Sequence, residues 1–176
     1  MKLPLILRAV AILPAIFVMY IIFSYSAQPE LESKNSSNAI SGPLIETFFG
    51  VNDMDYTEDT VEYYETFYID APIRKTAHML EYATLCVAVI IALVAWNAGP
   101  IEEIKKVSIR FTCLYAASDE FHQLFVPGRA GSPIDVFIDC MGAVFGTAIM
   151  FAVLKWLVEL DGIRANGGKI NEHRKK

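Results

Sequence analysis

Arg74-Lys75-Thr76-Ala77-His78-Met79-Leu80-Glu81-Tyr82-Ala83-Thr84-Leu85-Cys86-Val87-Ala88-Val89-Ile90-Ile91-Ala92-Leu93-Val94-Ala95-Trp96 decides how the chain is read. After Glu81 the stretch carries no charge, and Asn97, Gly99 and Pro100 then punctuate it. About 20 apolar residues in helical form cross the ~30 Å hydrocarbon core of a bilayer. Residues 76–96 are therefore expected to span a membrane, with ionisable residues crowded at one end. A charged side chain deep in a span costs about 2.5–3.5 kcal/mol on insertion scales, so such residues have partners and often a function. At about 100° per residue, Arg74, His78, Glu81 and Tyr82 share one helix face.

Working outward, three more spans are expected, at about residues 3–23, 107–125 and 134–157. The first has no charge from Ala9 to Phe23 and contains Pro14, which a membrane helix tolerates. Ser24 to Ala27 offer the small residues of a signal-peptide cleavage site, but the apolar run is long, and it is read as an uncleaved span. A short turn with Glu102, Glu103, Lys105 and Lys106 is expected to lead into the third span. That span is the least hydrophobic and holds Arg110 near its start. Pro127-Gly128 closes it. The fourth carries Asp139 one turn inside.

Residues 24–73, between the first two spans, hold ten acids against one lysine, Lys34. Leu44, Ile45, Phe48 and Phe49 suggest a short amphipathic helix. Val61, Tyr64 and Tyr68, with Phe67 beside them, repeat at helical spacing. Either an interfacial aromatic belt or a small cap on the helix ends fits this composition. The fold class expected is thus all-α: a small helical integral membrane protein with four transmembrane helices and an extracytoplasmic acidic and aromatic insert. Residues 1–158 form the membrane domain and 159–176 a basic tail.

The 176 residues suffice for one domain, and 54% of them are hydrophobic. Net charge of −5 argues against nucleic-acid binding. No Gly-rich phosphate loop, paired CxxC or GxSxG elbow occurs. Cys86, Cys113 and Cys140 each fall inside an expected span and read as small buried residues. With both termini cytoplasmic, eleven Lys and Arg lie on the inner side and four (Lys34, Arg74, Lys75 and Arg129) on the outer side. Both termini are accordingly expected in the cytoplasm, and the polar cluster on the outer face.

That cluster draws on three helices. Tyr115, Ser118, Asp119, His122 and Gln123 share a face of the third span, while Glu120 points about 100° away from Asp119. On the fourth, Asp135, Asp139, Gly142 and Gly146 line one stripe. The G-x-x-x-G pair admits a close helix crossing that would press Asp139 against a neighbour, or would serve a homo-oligomer. Arg129 lies on the connecting loop. The candidate binding residues are Arg74, Lys75, His78, Glu81, Tyr82, Asp119, Glu120, His122, Gln123, Arg129, Asp135 and Asp139. The candidates for catalysis are His78, Asp119, Glu120, His122 and Asp139. No standard metal-ligand spacing is present, and neither a metal nor a cofactor is expected.

Arg74-Lys75-x-x-His78-x-x-x-Tyr82, Asp119-Glu120-x-His122-Gln123, Pro127-Gly128-Arg129 and Asp135 with Gly142 and Gly146 resemble the motifs of the VanZ-like family of bacterial membrane proteins. Phe23-Ser24-x-Ser26-x-Gln28-Pro29 is similar to its early motif. The resemblance covers most of residues 10–155. It implies a small helical protein of the bacterial cytoplasmic membrane. The family's founding member is associated with low-level resistance to teicoplanin, a lipid-tailed glycopeptide antibiotic.

Three functions fit these residues. The first is an envelope protein whose outer pocket binds a lipid headgroup, a wall precursor or a lipopeptide tail, with Arg74, Lys75 and Arg129 toward phosphate. The second is a membrane-embedded enzyme acting on a lipid-linked phosphate, with histidines and acids in acid–base roles. The third is a small transporter or proton relay, which the apolar inner halves of the spans disfavour. Against all three stands a purely structural ion-pair network clipping the helices together.

Overall fold

The computed structural model describes residues 3–29, 47 and 71–173, with side chains in the last stretch from Pro72 to Glu159. The amphipathic and aromatic segments expected around 44–49 and 61–68 lie outside the described residues. Every regular element among those described is a helix: α1 (Leu5–Val10), α2 (Leu13–Ser26), α3 (Ala71–Ala95), α4 (Ile101–Gln123) and α5 (Pro133–His173).

The expected first span is α1 and α2 in series, interrupted at Ala11 and Ile12. Pro14 explains the interruption, since it has no N–H to give the carbonyl of Val10 and its ring crowds that turn. Pro14 then sits in the first turn of α2, where the missing donor costs nothing. The other helices begin earlier than expected. Arg74 and Lys75 already lie within α3, and Glu102, Glu103, Lys105 and Lys106 form the opening turns of α4 instead of a loop. Two acids near an N-terminus suit the helix dipole, and Lys105–Glu102 and Lys106–Glu103 pair at 2.8 Å one turn apart. At the other extreme, α5 runs past Leu157 to His173, so much of the expected tail continues the helix.

The α3–α4 connection is a helix-ending signal spelled in sequence. Asn97 takes φ 53°, its N–H reaches the Val94 carbonyl at 3.0 Å, and the N–H of Ala98 reaches Leu93 at 3.0 Å. These are the two bonds of a Schellman cap, with Asn in the left-handed position. The Trp96 indole N–H donates to the Arg8 carbonyl at 2.9 Å, tying α1 to this end.

The helices alternate in direction. The largest interface joins α3 to α5, with α4 against both and α2 against α3. Ile22, Tyr82, Leu85, Ala88 and Ala116 form one buried cluster, and Cys86, Ile90, Ile104 and Ala143 a second. Gly142 and Gly146 make the α3–α5 crossing. A Cβ on Gly142 would collide with the Met79 carbonyl, and one on Gly146 would lie 2.7 Å from the Ala83 oxygen. The pair therefore serves an internal contact, as the close-crossing expectation held. Of the two alternatives for this stripe, the described residues show the internal contact with α3, and nothing among them supports a homo-oligomer through it.

The outside of the bundle is apolar and the inside holds much of the polarity. Phe17, Leu114, Phe137, Phe145 and Val158 are exposed, whereas Ser26, Ser108, Thr112, Asp119, Asp139 and Thr147 are buried. Residues 5–26, 72–95 and 133–159 are each long and apolar enough to cross a membrane. α4, which carries the expected third span, is not among them: its 23 residues reach about 34 Å but include Glu102, Glu103, Lys105, Lys106, Arg110, Asp119 and Glu120.

Candidate functional site

Alternation of direction brings the end of α2, the start of α3, the end of α4 and the start of α5 to one end of the bundle. Local sequence chemistry then shapes that end. Val126-Pro127-Gly128-Arg129 turns tightly, with Pro second, Gly128 third at φ 80°, and the Arg129 N–H bonded to the Val126 carbonyl at 3.1 Å. This is the pattern of a type II turn, which needs a residue free to take positive φ. The turn aims Arg129 back at α2. Its Nε donates to the Gln28 carbonyl at 2.9 Å and its Nη2 to Tyr25 at 3.0 Å. A guanidinium on the last carbonyls of a helix satisfies orphan acceptors and suits the negative end of the dipole.

Ser132 caps α5. Its Oγ accepts the Ile134 N–H at 3.2 Å, and Pro133 takes the first helical position. The N–H of Ser132 itself donates to Glu120 Oε2 at 2.8 Å, which locks the loop to α4. Gln123 holds the other side: its Nε2 lies 3.3 Å from both Glu120 Oε1 and Asp119 Oδ2. One amide thus supplies both buried acids.

Between these elements lies a cavity of about 390 Å³, lined by Arg74, Lys75, His78, Glu120, Gln123, Arg129, Asp135 and Asp139 among others. Lys75 pairs with Asp135 at 3.0 Å at the rim, where both are partly exposed. One turn deeper, His78 Nδ1 stands 3.4 Å from Glu81 Oε2. Asp139, 2% exposed, forms the floor. The charged groups facing it are His78, Glu120, Asp119 and Asp135. Its Oδ1 is buried without a hydrogen-bond partner among the described residues, as is Asp119 Oδ1. Tyr82, fully buried, places its hydroxyl beside these two carboxyls.

The structure gathers most of the expected residues and relocates two. Glu120, which helical arithmetic turned away from the shared face, lines the cavity. The reason is that α4 meets α3 and α5 over a broad arc: Ala116, Asp119, Glu120 and Gln123 are all buried, and a 100° difference fits within it. His122 lies at the far edge and does not line the cavity. Its ring stacks on Phe23 of α2 with centroids 4.9 Å apart. Tyr115 turns the same way and donates to the Met19 carbonyl at 2.8 Å, while Ser118 is exposed. Asp119, Glu81 and Tyr82 stand behind the wall.

Sequence reasoning did not foresee a row of small polar groups deeper in the bundle. Ser108 and Thr112 are fully buried on α4, and Cys86 Sγ lies 3.3 Å from Thr147 Oγ1. The four-residue step from Ser108 through Thr112 to Ala116 was the available signal, since small residues at that spacing mark membrane helix contacts. Among the described residues no group of three or more acids, histidines and cysteines is arranged to hold a metal ion.

No curated protein and no solved structure matches the chain closely. A family profile described as VanZ/LLP1 matches residues 11–155, from the interruption in the first span to the middle of α5. That range contains every residue of the cavity and the crossing that supports it. The chain belongs to the VanZ/LLP1 family.

Proposed function

We propose that this VanZ-like protein binds the headgroup of an amphiphile, a membrane lipid or a lipid-linked wall precursor, in the cavity between α3, α4 and α5. The cavity opens to the outer face of the cytoplasmic membrane, and a contribution to resistance against teicoplanin-type glycopeptides would act through this binding. The observation that carries the reading is the mixed-charge cavity itself. Its ~390 Å³ lies within the usual range of small-molecule sites, and it sits at the polar end of helices whose flanks are lipid-facing. A ligand entering from the bilayer would keep its tail among the exposed apolar side chains while its headgroup reached the charges. The test is native mass spectrometry of the full chain released from membranes, with and without added lipid. Retention of lipid by the wild type, and its loss in Arg74→Gln with folding intact, is the expected result. Wild-type protein that retains no amphiphile refutes the reading.

A second reading, a membrane-embedded enzyme acting on a lipid-linked phosphate, is favoured by one feature. His78 lines the cavity with Glu81 behind its Nδ1, as a carboxylate stands behind a general base. Release of phosphate from a lipid pyrophosphate, abolished in His78→Gln, would establish it.

A further inference from the structure

We infer that the cavity takes a zwitterionic headgroup with the ammonium end innermost, seated on Asp139, and the phosphate at the rim against Arg74. The inference rests on the amphiphile reading above and adds the ligand's chemical class and its direction.

The sequence alone suggests phosphate recognition by three cations. The structure divides those cations differently. Lys75 is paired with Asp135 at 3.0 Å, and Arg129 bonds the backbone carbonyls of Tyr25, in the last turn of α2, and Gln28, just past it. Arg74 lines the cavity and has no ion-pair partner among the described residues. Rim cations are thus reduced, in effect, to Arg74.

The floor has the opposite character. Asp139 is 2% exposed, and the groups facing it are three further acids and His78. Glu120 accepts a backbone N–H and an amide, so its needs are met by neutral donors. Asp139 receives nothing comparable: one carboxyl oxygen is buried without a hydrogen-bond partner among the described residues. A carboxyl buried without a partner is costly and signals a missing donor. The fully buried Tyr82 hydroxyl stands beside Asp119 and Asp139. A primary ammonium brings three donors and a positive charge, which answers the unmet oxygen of Asp139.

Spacing fits as well. Arg74 precedes His78 by one helical turn, as Asp135 precedes Asp139, so rim and floor differ in depth by about 5.4 Å. An aminoethyl phosphate reaches about that far. A headgroup inserted phosphate-first would set its anion against Asp139 and Glu120.

The experiment uses full-length protein in detergent, stripped of lipid and offered phosphatidylethanolamine, phosphatidylglycerol or phosphatidylcholine. Bound lipid is counted by native mass spectrometry. Wild type should retain phosphatidylethanolamine about tenfold over phosphatidylglycerol, the scale of one charge-assisted hydrogen bond, and over phosphatidylcholine, which has no N–H. Asp139→Asn should remove that preference, while Arg74→Gln should lower retention of all three alike. Free O-phosphoethanolamine that competes at millimolar concentration would point to the headgroup as sufficient, and failure to compete to the whole lipid. Equal retention of the three lipids by wild type overturns the inference and leaves the amphiphile reading standing. Retention of none overturns both. If Asp139→Asn does not fold, the wild-type ranking decides alone.

Discussion

Gly142→Ala tests the crossing on which the site depends. Alanine in a helix is ordinarily favoured over glycine by about 0.5–1 kcal/mol. Here the added methyl would point at the Met79 carbonyl, with the Met79 Cα also within 3.1 Å. Both are backbone atoms of α3, so relief requires the two helices to move apart. A gap of 0.5–1 Å forfeits about a quarter to a half of each facing dispersion contact. Overpacking of this kind costs about 1–3 kcal/mol, which leaves a net loss centred on about 1 kcal/mol after the helix-propensity gain. For a chain of this size that lowers Tm by about 2–4 °C. Thermal unfolding in detergent, followed by circular dichroism, reads it. Gly146→Ala, facing Ala83 atoms at 2.7–2.9 Å, should behave alike. An unchanged or raised Tm for Gly142→Ala refutes the α3–α5 crossing. A changed oligomeric state with unchanged monomer stability would instead revive the oligomer.

Three other outcomes are expected. Gln123→Leu strips the amide shared by Asp119 and Glu120, leaving buried acceptors unmet, and should destabilise by about 1–3 kcal/mol in the same unfolding assay. Arg129→Ala removes two charge-assisted bonds to the end of α2, and hydrogen exchange at Ala27 and Gln28 should quicken while the amides of α5 are unaffected. Lys75→Gln breaks an ion pair whose side chains are 48% and 36% exposed, and Tm should change by no more than about 1 kcal/mol permits.

The sequence announced the helices through long charge-free runs, and the cavity through polar residues at matching depths. Its blind spots have physical causes. Pro14 was read as tolerated, and it is, but at the cost of splitting the span, because a lost donor is compensated more easily at a helix start than in its middle. Helical arithmetic alone turns Glu120 away from Asp119, because it treats a face as a narrow stripe. A helix with neighbours on several sides buries a wide arc, and only the packing partners define it. Arg129 looked like a ligand-binding cation on a loop. Its engagement with Tyr25 and Gln28 depends on contacts 104 and 101 residues away in sequence, which no local pattern reveals. The same holds for the stacking of His122 on Phe23, although both belong to the motifs that carry the family resemblance.

A purely structural ion-pair network makes a specific demand: opposite charges should meet where burial is greatest, since a lone buried charge is the costly case. The molecule does the reverse. Among the described residues, the ion pair of Lys75 with Asp135 lies at the partly exposed rim, where such pairs contribute little. Among the described residues the deep acids have neutral donors or an unmet oxygen: Glu120 meets Ser132 and Gln123, Asp119 meets Gln123 while its Oδ1 is unmet, and Asp139 Oδ1 meets nothing. Helices could be joined at less cost by apolar packing, as Ala83 and Gly146 show a few residues deeper. A buried carboxyl with an unmet oxygen on the wall of a cavity whose lining includes Arg74 supports the proposed ligand site over a clip.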